Sequence, residues 1–181
     1  MTTADQSVRI GWAEDAPALA RVQVAAWQEL YAEVLPAQVL AGLVADDLTP
    51  HWLEALTRAK DARQRVLVAL ERATVVGYTL TMPATDPDCD PIADAEIAEV
   101  VVAPDRVGQG HGSRLMHAAI DTLRADKFSR ATHWINATDD ASRAFFTEAG
   151  WAPDGAFREL DLTGDGTTIV KQVRLHTTIA G

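Results

Sequence analysis

Residues 95–116 read AEIAEVVVAPDRVGQGHGSRLM. The stretch begins with a β-rich apolar run, which breaks at Ala103-Pro104-Asp105. After the break, glycine occupies alternate positions at Gly108, Gly110 and Gly112, and a helical pattern follows. These residues predict a strand, a glycine loop and a helix N-terminus in immediate succession.

Such a succession can bind a phosphate group. Glycine has no Cβ to block close approach, and a helix N-terminus offers unpaired N–H donors and the positive end of the helix dipole. The alternative interpretation is a tight turn without a ligand. The Rossmann fingerprint is disfavoured because it needs G-x-G-x-x-G. A P-loop is disfavoured because Ser113 follows Gly112 where a lysine is required.

Composition is typical of a soluble globular protein. The 181 residues are 48% hydrophobic and 23% charged, which predicts a single domain spanning 1–181 with a sizeable core. The net charge of −10 argues against nucleic-acid or anionic-membrane binding and is compatible with a cationic acceptor such as an amine. Cys89 is the single cysteine, and we find no signal-peptide or membrane-span pattern, so we expect a cytoplasmic protein.

Hydrophobic periodicity and turn residues predict the order β-α-α-α-β-β-β-α-β-α-β-β. The strands are expected at residues 8–10, 65–70, 75–82, 95–102, 130–136, 157–162 and 168–175. The helices are expected at residues 14–31, 36–44, 50–60, 110–125 and 139–149. Residues 83–94 are expected to form a solvated surface turn. Their alternating aspartates lack the glycine and glutamate that a calcium-binding EF-hand loop needs.

Three segments in this order resemble the GNAT superfamily of N-acetyltransferases. That family's signature is Gln/Arg-x-x-Gly-x-Gly/Ala, and Gly110 and Gly112 fill its glycine positions, although Val107 stands where Gln or Arg is usual. Asn136 followed by residues 144–151, AFFTEAGW, resembles the family's Asn…Phe-Tyr-x-x-x-Gly-Phe segment. Residues 25–31, AAWQELY, are also similar to bacterial members.

The resemblance implies an α/β (α+β) GNAT fold, with a mixed central sheet of about seven strands flanked by helices. Strands 4 and 5 would splay apart to form the acyl-CoA cleft. Acetyl-CoA would be the acyl donor, and the acceptor a primary amine of a small molecule or peptide. No metal is expected, because His111 and His117 are six residues apart and there is no Cys-x-x-Cys.

Direct acetyl transfer needs a neutral amine. A lysine-like amine has a pKa of about 10.4, so deprotonation at pH 7 costs roughly 4–5 kcal/mol, and a general base would assist it. Glu96 is the first candidate base because its position before Gly110 matches the catalytic glutamate of histone-type relatives. Glu99 is the second candidate, and it faces the opposite side of the strand unless a bulge intervenes. Solvated strand-edge carboxylates are the alternative for both.

The resemblance also implies a cofactor-binding set. The main chain at Val101 and Val102 would pair with the pantetheine arm, and Asn136 would hydrogen-bond the arm from the splayed side. The diphosphate would bind the glycine-loop backbone and the start of the helix. These loop and helix residues are Val107, Gly108, Gln109, Gly110, His111, Gly112, Ser113 and Arg114. Arg106 is a candidate for the 3′-phosphate or a solvated surface arginine.

The main departure from the family is Phe146, which stands where many members have a tyrosine that protonates the leaving thiolate. Tyr31 and Tyr78 are candidates for that role. Aromatic residues of the N-terminal helices, such as Trp27 and Trp52, are core anchors or acceptor-pocket walls. The missing tyrosine keeps open a non-catalytic acyl-CoA-binding sensor or regulatory module. A different acyl group, a hydroxyl acceptor and a homodimer are also open.

Overall fold

The computed structural model describes residues 5–179, and seven strands form one mixed sheet in the order β1-β2-β3-β4-β5-β7-β6. The strands are β1 Gln6–Ile10, β2 Arg65–Glu71, β3 Thr74–Pro83, β4 Asp94–Val102, β5 Arg130–Asn136, β6 Ala152–Asp161 and β7 Ile169–Thr178. The β4–β5 pair is parallel and the other pairs are antiparallel. The predicted fold class is confirmed. Residues 1–4 and 180–181 of the predicted single domain lie outside the described residues.

Within residues 5–179, five α-helices flank the sheet: α1 Ala16–Leu30, α2 Ala37–Ala41, α3 Ala45–Thr57, α4 His111–Ala125 and α5 Asp140–Glu148. The prediction that α3 begins at Pro50 is wrong, because the helix begins at Ala45 and includes that proline. Pro50 removes an N–H donor early in the helix, while the Thr49 hydroxyl donates to the Ala45 carbonyl at 2.9 Å. The acidic Asp46 and Asp47 in the first turn also favour this start.

The sheet buries an apolar core on each face. One core lies beneath α4 and α5 and includes Ile97, Leu115 and Phe146. The other lies beneath α1 and α3 and includes Leu19 and Tyr78. No helix within residues 5–179 is long and apolar enough to span a bilayer.

Strands β4 and β5 separate soon after they meet. Their parallel pairing covers only Asp94–Glu96 opposite 130–132. Beyond this point β4 continues to Val102 and β5 continues to Asn136, but the two strands no longer pair with each other. The two strands therefore form a wedge that opens towards their carboxyl ends, where α4 begins.

The loop before β4 is less solvated than predicted. Asp86 accepts hydrogen bonds from the Arg174 guanidinium at 3.0 Å and from the Trp134 indole at 3.1 Å. Arg174 is only 3% exposed, and it also contacts Asp88 and bonds Asp154 at 2.7 Å. A buried guanidinium needs counter-charges, and the loop supplies two of them.

Candidate active site

A β-bulge places both candidate bases on one face of the sheet. Residues three apart on a regular strand lie on opposite faces. Here Thr81 pairs with Ile97 and Leu80 pairs with Glu99, which leaves Ala98 as an extra residue on β4. Glu96 and Glu99 therefore both face the side covered by α1 and α3.

The Glu99 carboxylate accepts a hydrogen bond from the Tyr78 hydroxyl at 2.7 Å. Burial raises the pKa of Glu99, and this hydrogen bond partly opposes the shift. Burial also raises the pKa of Tyr78, and the neighbouring Glu99 charge adds to that effect. Tyr78 is fully buried, so its hydroxyl is committed to Glu99.

Glu96 is the last β4 residue that pairs with β5, so it lies where the wedge begins. Burial raises the pKa of Glu96, and the charge of Asp86 adds to the effect, whereas Arg158 and Arg174 oppose it. Within residues 5–179, no donor reaches the Glu96 carboxylate at hydrogen-bonding distance. A half-buried carboxyl with a raised pKa and a free acceptor site has the properties of a general base.

Asn136 and Tyr31 lie on the same face, at the open part of the wedge. The Asn136 amide oxygen accepts a hydrogen bond from Gln172 of β7 at 3.1 Å. Burial raises the pKa of the half-buried Tyr31, and the nearby Asn136 amide opposes this shift. Tyr31 directly follows α1, so that helix brings a phenol to the cleft. Trp52, in contrast, is a core residue that packs on Tyr78 with ring centroids 4.6 Å apart.

The glycine loop has the backbone geometry that only glycine adopts readily. Gly108 and Gly110 have φ angles of 79° and 85°. Gly110 is the N-cap of α4 and has no side chain with which to cap it. The Arg114 N–H is the first with a helical acceptor, the Gly110 carbonyl at 3.1 Å. The N–H groups of residues 111–113 therefore have no helical acceptor.

Side chains of the loop mostly face away from this helix end or into solvent. Val107 is 67% exposed, and Ser113 is also exposed. The Gln109 amide donates to the Asp105 carbonyl at 3.3 Å. The Arg114 guanidinium donates to the Gln109 carbonyl at 3.4 Å. The loop can therefore offer a ligand mainly its main chain, together with the first turn of α4.

His111 and Arg106 are both directed at Glu71. The His111 ring is 1% exposed, and its Nε2 lies 3.7 Å from the Glu71 carboxylate. The Arg106 Nε lies 3.1 Å from the same carboxylate oxygen. The side chain of His111, a predicted cofactor contact, thus faces the end of β2 without a hydrogen bond to it, and only its main chain is at the helix start.

Beyond the bulge, the two edges of β4 have different neighbours. The Ala103 N–H donates to the Val76 carbonyl on β3 at 2.8 Å. Because hydrogen-bonding residues alternate along an antiparallel strand, the main chain of Val101 also faces β3. The main-chain groups of Val100 and Val102 face the wedge instead.

No role for His133 of β5 was predicted from the sequence. Its Nδ1 lies 2.6 Å from the Ile97 carbonyl, one residue beyond the last β4–β5 pair. Its ring stacks on Phe146 at 4.3 Å between centroids, within the core beneath α4 and α5. Burial lowers the pKa of His133 to about 4. The available signal was a histidine at an inward position of β5, whose neighbours on the same face, Ala131 and Ile135, are apolar.

Among the described residues, one group has the proximity that a metal site needs. Ligand atoms of Asp86, Asp88 and Cys89 lie within 4.8 Å of one another. The Arg174 guanidinium already contacts both carboxylates, so its positive charge neutralises the acidic pair that a metal ion would need.

Comparison with known proteins agrees with this geometry. The profile of the acetyltransferase (GNAT) family matches residues 24–151. An N-acetyltransferase from Streptomyces griseus is 30% identical over 110 residues, which cover 58% of this chain and 56% of that protein. The chain therefore spans little more than half the length of this curated relative.

Two solved structures are similar in fold. PaiA N-acetyltransferase from Thermoplasma acidophilum, in complex with coenzyme A, matches with a TM-score of 0.71 and 14% identity over 95% of this chain and 98% of that chain. YncA from Salmonella typhimurium, with acetyl-CoA, matches with a TM-score of 0.69 and 18% identity over 97% and 95%. Since the family profile covers more than half of the chain, the protein belongs to the GNAT acetyltransferase family.

Proposed function

We propose that the protein transfers an acetyl group from acetyl-CoA to a primary amine of a small molecule or peptide. One observation carries the proposal. The uncapped N-terminus of α4 lies at the open end of the wedge between β4 and β5, and β4, the strand that leads to this helix, bears Glu96. This arrangement combines an anion site, an extended slot and a carboxylate of raised pKa.

The residues present fit a coenzyme A donor. N–H groups of residues 111–113 would bind the diphosphate, and the positive φ angles of Gly108 and Gly110 let the backbone approach it. Main-chain groups of Val102 would pair with the pantetheine amides as a further strand does. The strand alternation favours Val100 and Val102 over Val101 for this role. Asn136 would bind from the opposite wall.

Glu96 is our proposed general base, and the amine would attack directly. The amine nitrogen forms a bond to the acetyl carbon, the carbon–sulfur bond breaks, and one amine proton passes to Glu96. The sulfur leaves as a thiolate. Glu99 is less suited because Tyr78 already donates to its carboxylate. Bound acetyl-CoA supplies the activated acyl group for this step.

Tyr31 is the better of the two candidate donors to the leaving sulfur. Tyr78 is fully buried and bonded to Glu99, and Phe146 packs in the opposite core. Tyr31 is half-buried at the open wedge, and burial raises its pKa, which keeps the phenol protonated at neutral pH. The names of the relatives, including one solved with coenzyme A, support the donor assignment.

The same proposal includes a single domain over residues 1–181 and a cytoplasmic location. The one seven-stranded sheet and the lone Cys89 support these assignments. Measurement of the molecular mass in solution tests for a homodimer.

The test is Glu96→Gln, with Glu99→Gln for the alternative base and the exposed Glu148→Gln as control. We expect Glu96→Gln to lower kcat by about 100-fold or more while the Kd for acetyl-CoA stays within about twofold. In the parent, kcat/KM falls as pH drops through the raised pKa of Glu96, because the protonated carboxyl accepts no proton. That acidic limb should disappear in Glu96→Gln.

Other outcomes reassign the site. If Glu96→Gln turns over like the parent and Glu99→Gln does not, the base is Glu99. If the parent binds acetyl-CoA by calorimetry but releases no thiol with any amine tested, the protein is a non-catalytic acyl-CoA-binding module.

A further inference from the structure

A row of polar side chains crosses three neighbouring strands on the face that carries Glu96. Gln172 of β7 pairs in register with Arg158 of β6 on one side and with Asn136 of β5 on the other. The Arg158 Nε donates to the Gln172 amide oxygen at 2.8 Å, and Gln172 donates to Asn136 at 3.1 Å. The row runs from the edge strand of the sheet to the wedge.

Arg158 is held in place without a counter-ion. Its guanidinium lies 4.3 Å from the centroid of the Trp134 ring, and Trp134 is only 8% exposed. Within residues 5–179, no carboxylate lies within 4.0 Å of its terminal nitrogens, and only Nε has a hydrogen-bond acceptor. Two positions of the guanidinium fork are therefore available to a ligand.

The neighbouring arginines differ from Arg158 in this respect. Arg130 bonds Asp154 at 2.8 Å, and Arg174 bonds the same aspartate at 2.7 Å as well as Asp86 at 3.0 Å. The chain has 26 acidic residues and 16 lysines and arginines, so counter-ions are plentiful. A half-buried arginine that is fixed but unpaired is available to bind an anion from outside the protein.

Arg158 is also close to the proposed base. Its charge is one of the effects that lower the pKa of Glu96 against the effect of burial. Both side chains lie on the same face of the sheet, on either side of the β5 strand. A ligand that reaches both side chains meets a proton acceptor at Glu96 and a positive charge at Arg158.

We propose that the acceptor is an amine that also carries a carboxylate, and that Arg158 binds this carboxylate while the amine lies at Glu96. The proposal rests on the acetyl transfer proposed above. A guanidinium binds a carboxylate through two parallel N–H···O bonds in one plane. Trp134 covers one face of the guanidinium and leaves the edge of the fork free, so the carboxylate approaches in a defined direction.

A competing role for Arg158 is to adjust the pKa of Glu96 without touching the acceptor. The two roles differ in their dependence on the acceptor. A residue that acts only through Glu96 affects every amine alike. A residue that binds the carboxylate affects only acceptors that possess one.

The experiment compares three matched acceptor sets: the proteinogenic amino acids, their α-carboxamides and the corresponding decarboxylated amines. A lysine-containing tripeptide with a free or amidated C-terminus distinguishes a peptide carboxylate from a free amino acid. The variants are Arg158→Gln and Arg158→Lys, with the exposed Arg58→Gln as control. Melting temperature and acetyl-CoA affinity establish that each variant is folded and binds the donor.

We expect the parent to prefer carboxylate-bearing acceptors. Arg158→Gln should lower kcat/KM for them by about 10- to 100-fold and leave the amides and simple amines within about threefold, because a charge-assisted hydrogen bond is lost. Arg158→Lys should retain part of the preference, and Arg58→Gln should match the parent.

Two results overturn the inference separately. If the parent acetylates amides and simple amines as well as amino acids, or if Arg158→Gln slows all classes equally, Arg158 does not bind the acceptor, while acetyl transfer stands. If the parent acetylates no amine although it binds acetyl-CoA, the proposed function fails and this inference fails with it.

Discussion

His133 takes over a main-chain role where the β4–β5 ladder stops. Its neutral ring donates Nδ1–H to the Ile97 carbonyl, whose strand partner is lost as the wedge opens. The other ring nitrogen is then unprotonated. Protonation would place a charge between the Ile97 carbonyl and the Phe146 ring, deep in the core.

The stability of the folded protein should therefore depend on His133 in mildly acidic solution. The pKa of about 4 in the folded state lies below the value of about 6.5 expected in the unfolded chain. The unfolded chain binds more protons between these values, so stability is full above about pH 6.5 and falls as pH drops towards 4. The loss reaches about 3 kcal/mol at most.

Urea unfolding at pH 7, 6 and 5 measures this effect. His133→Gln should be less stable than the parent at pH 7, because stacking on Phe146 is lost, but its stability should fall less between pH 7 and 5. The exposed His117→Gln serves as control and should follow the parent. An unchanged pH dependence in His133→Gln would rule out His133 as the titrating group.

The sequence predicted which residue types lie near the site but not how they are oriented. Glu96 and Glu99 were predicted as candidate bases, and the bulge at Ala98 that brings them to one face has no signal in its residue type. His111 was grouped with the cofactor contacts because it lies next to Gly110. Its ring faces Glu71, which is distant in the sequence, so no local pattern indicated that direction.

At the level of elements, the strand–loop–helix unit was predictable because its signals are local. Glycine at positive φ, the proline break and the periodicity of α4 all lie within residues 95–125. The start of α3 was not predictable from local rules. Trp52 of α3 packs on Tyr78, and its indole N–H donates a hydrogen bond to Gln23 at 2.8 Å. These tertiary contacts stabilise the helix across Pro50.

Gly110→Ala tests the role of the loop in binding the diphosphate. At φ 85° an alanine is strained, and its Cβ would lie 3.0 Å from an Arg114 nitrogen. We expect kcat/KM for acetyl-CoA to fall roughly tenfold or more, while acetyl-pantetheine, which lacks the diphosphate, is used as by the parent. The strain should also lower the free energy of unfolding by about 1–2 kcal/mol.

The control for this variant is Gly164→Ala. Gly164 has a φ of 76° in the turn between β6 and β7, and a Cβ there would meet no atom within 4 Å. Its backbone strain is comparable, but it is remote from α4 in the chain. If both variants use acetyl-CoA equally well, the loop does not bind the diphosphate.

At the scale of the whole molecule, the sheet consists of two parts with a narrow junction. The β1–β4 part and the β5–β7–β6 part share three residue pairs between β4 and β5. Arg174 of β7 adds a second connection, because it holds Asp86 and Asp88 of the loop that leads into β4. The sequence could not predict this link, since its partners lie 86 to 88 positions apart.

Arg174→Ala should therefore destabilise the protein far more than loss of an exposed ion pair. It leaves Asp86 without a guanidinium partner and Asp154 with Arg130 alone, and loss of one partner of a buried pair costs about 3–5 kcal/mol. The control is Arg72→Ala, which removes an exposed ion pair with Asp5 and should cost about 1 kcal/mol or less.

Urea unfolding with and without coenzyme A provides the measurement. Because Arg174 ties β7 to the loop that leads into β4, its loss should also weaken coenzyme A binding in the wedge. Coenzyme A should then raise the free energy of unfolding less in Arg174→Ala than in Arg72→Ala at the same concentration, since the stabilisation follows RT ln(1 + [L]/Kd). If coenzyme A stabilises the two variants equally, Arg174 does not set the geometry of the wedge.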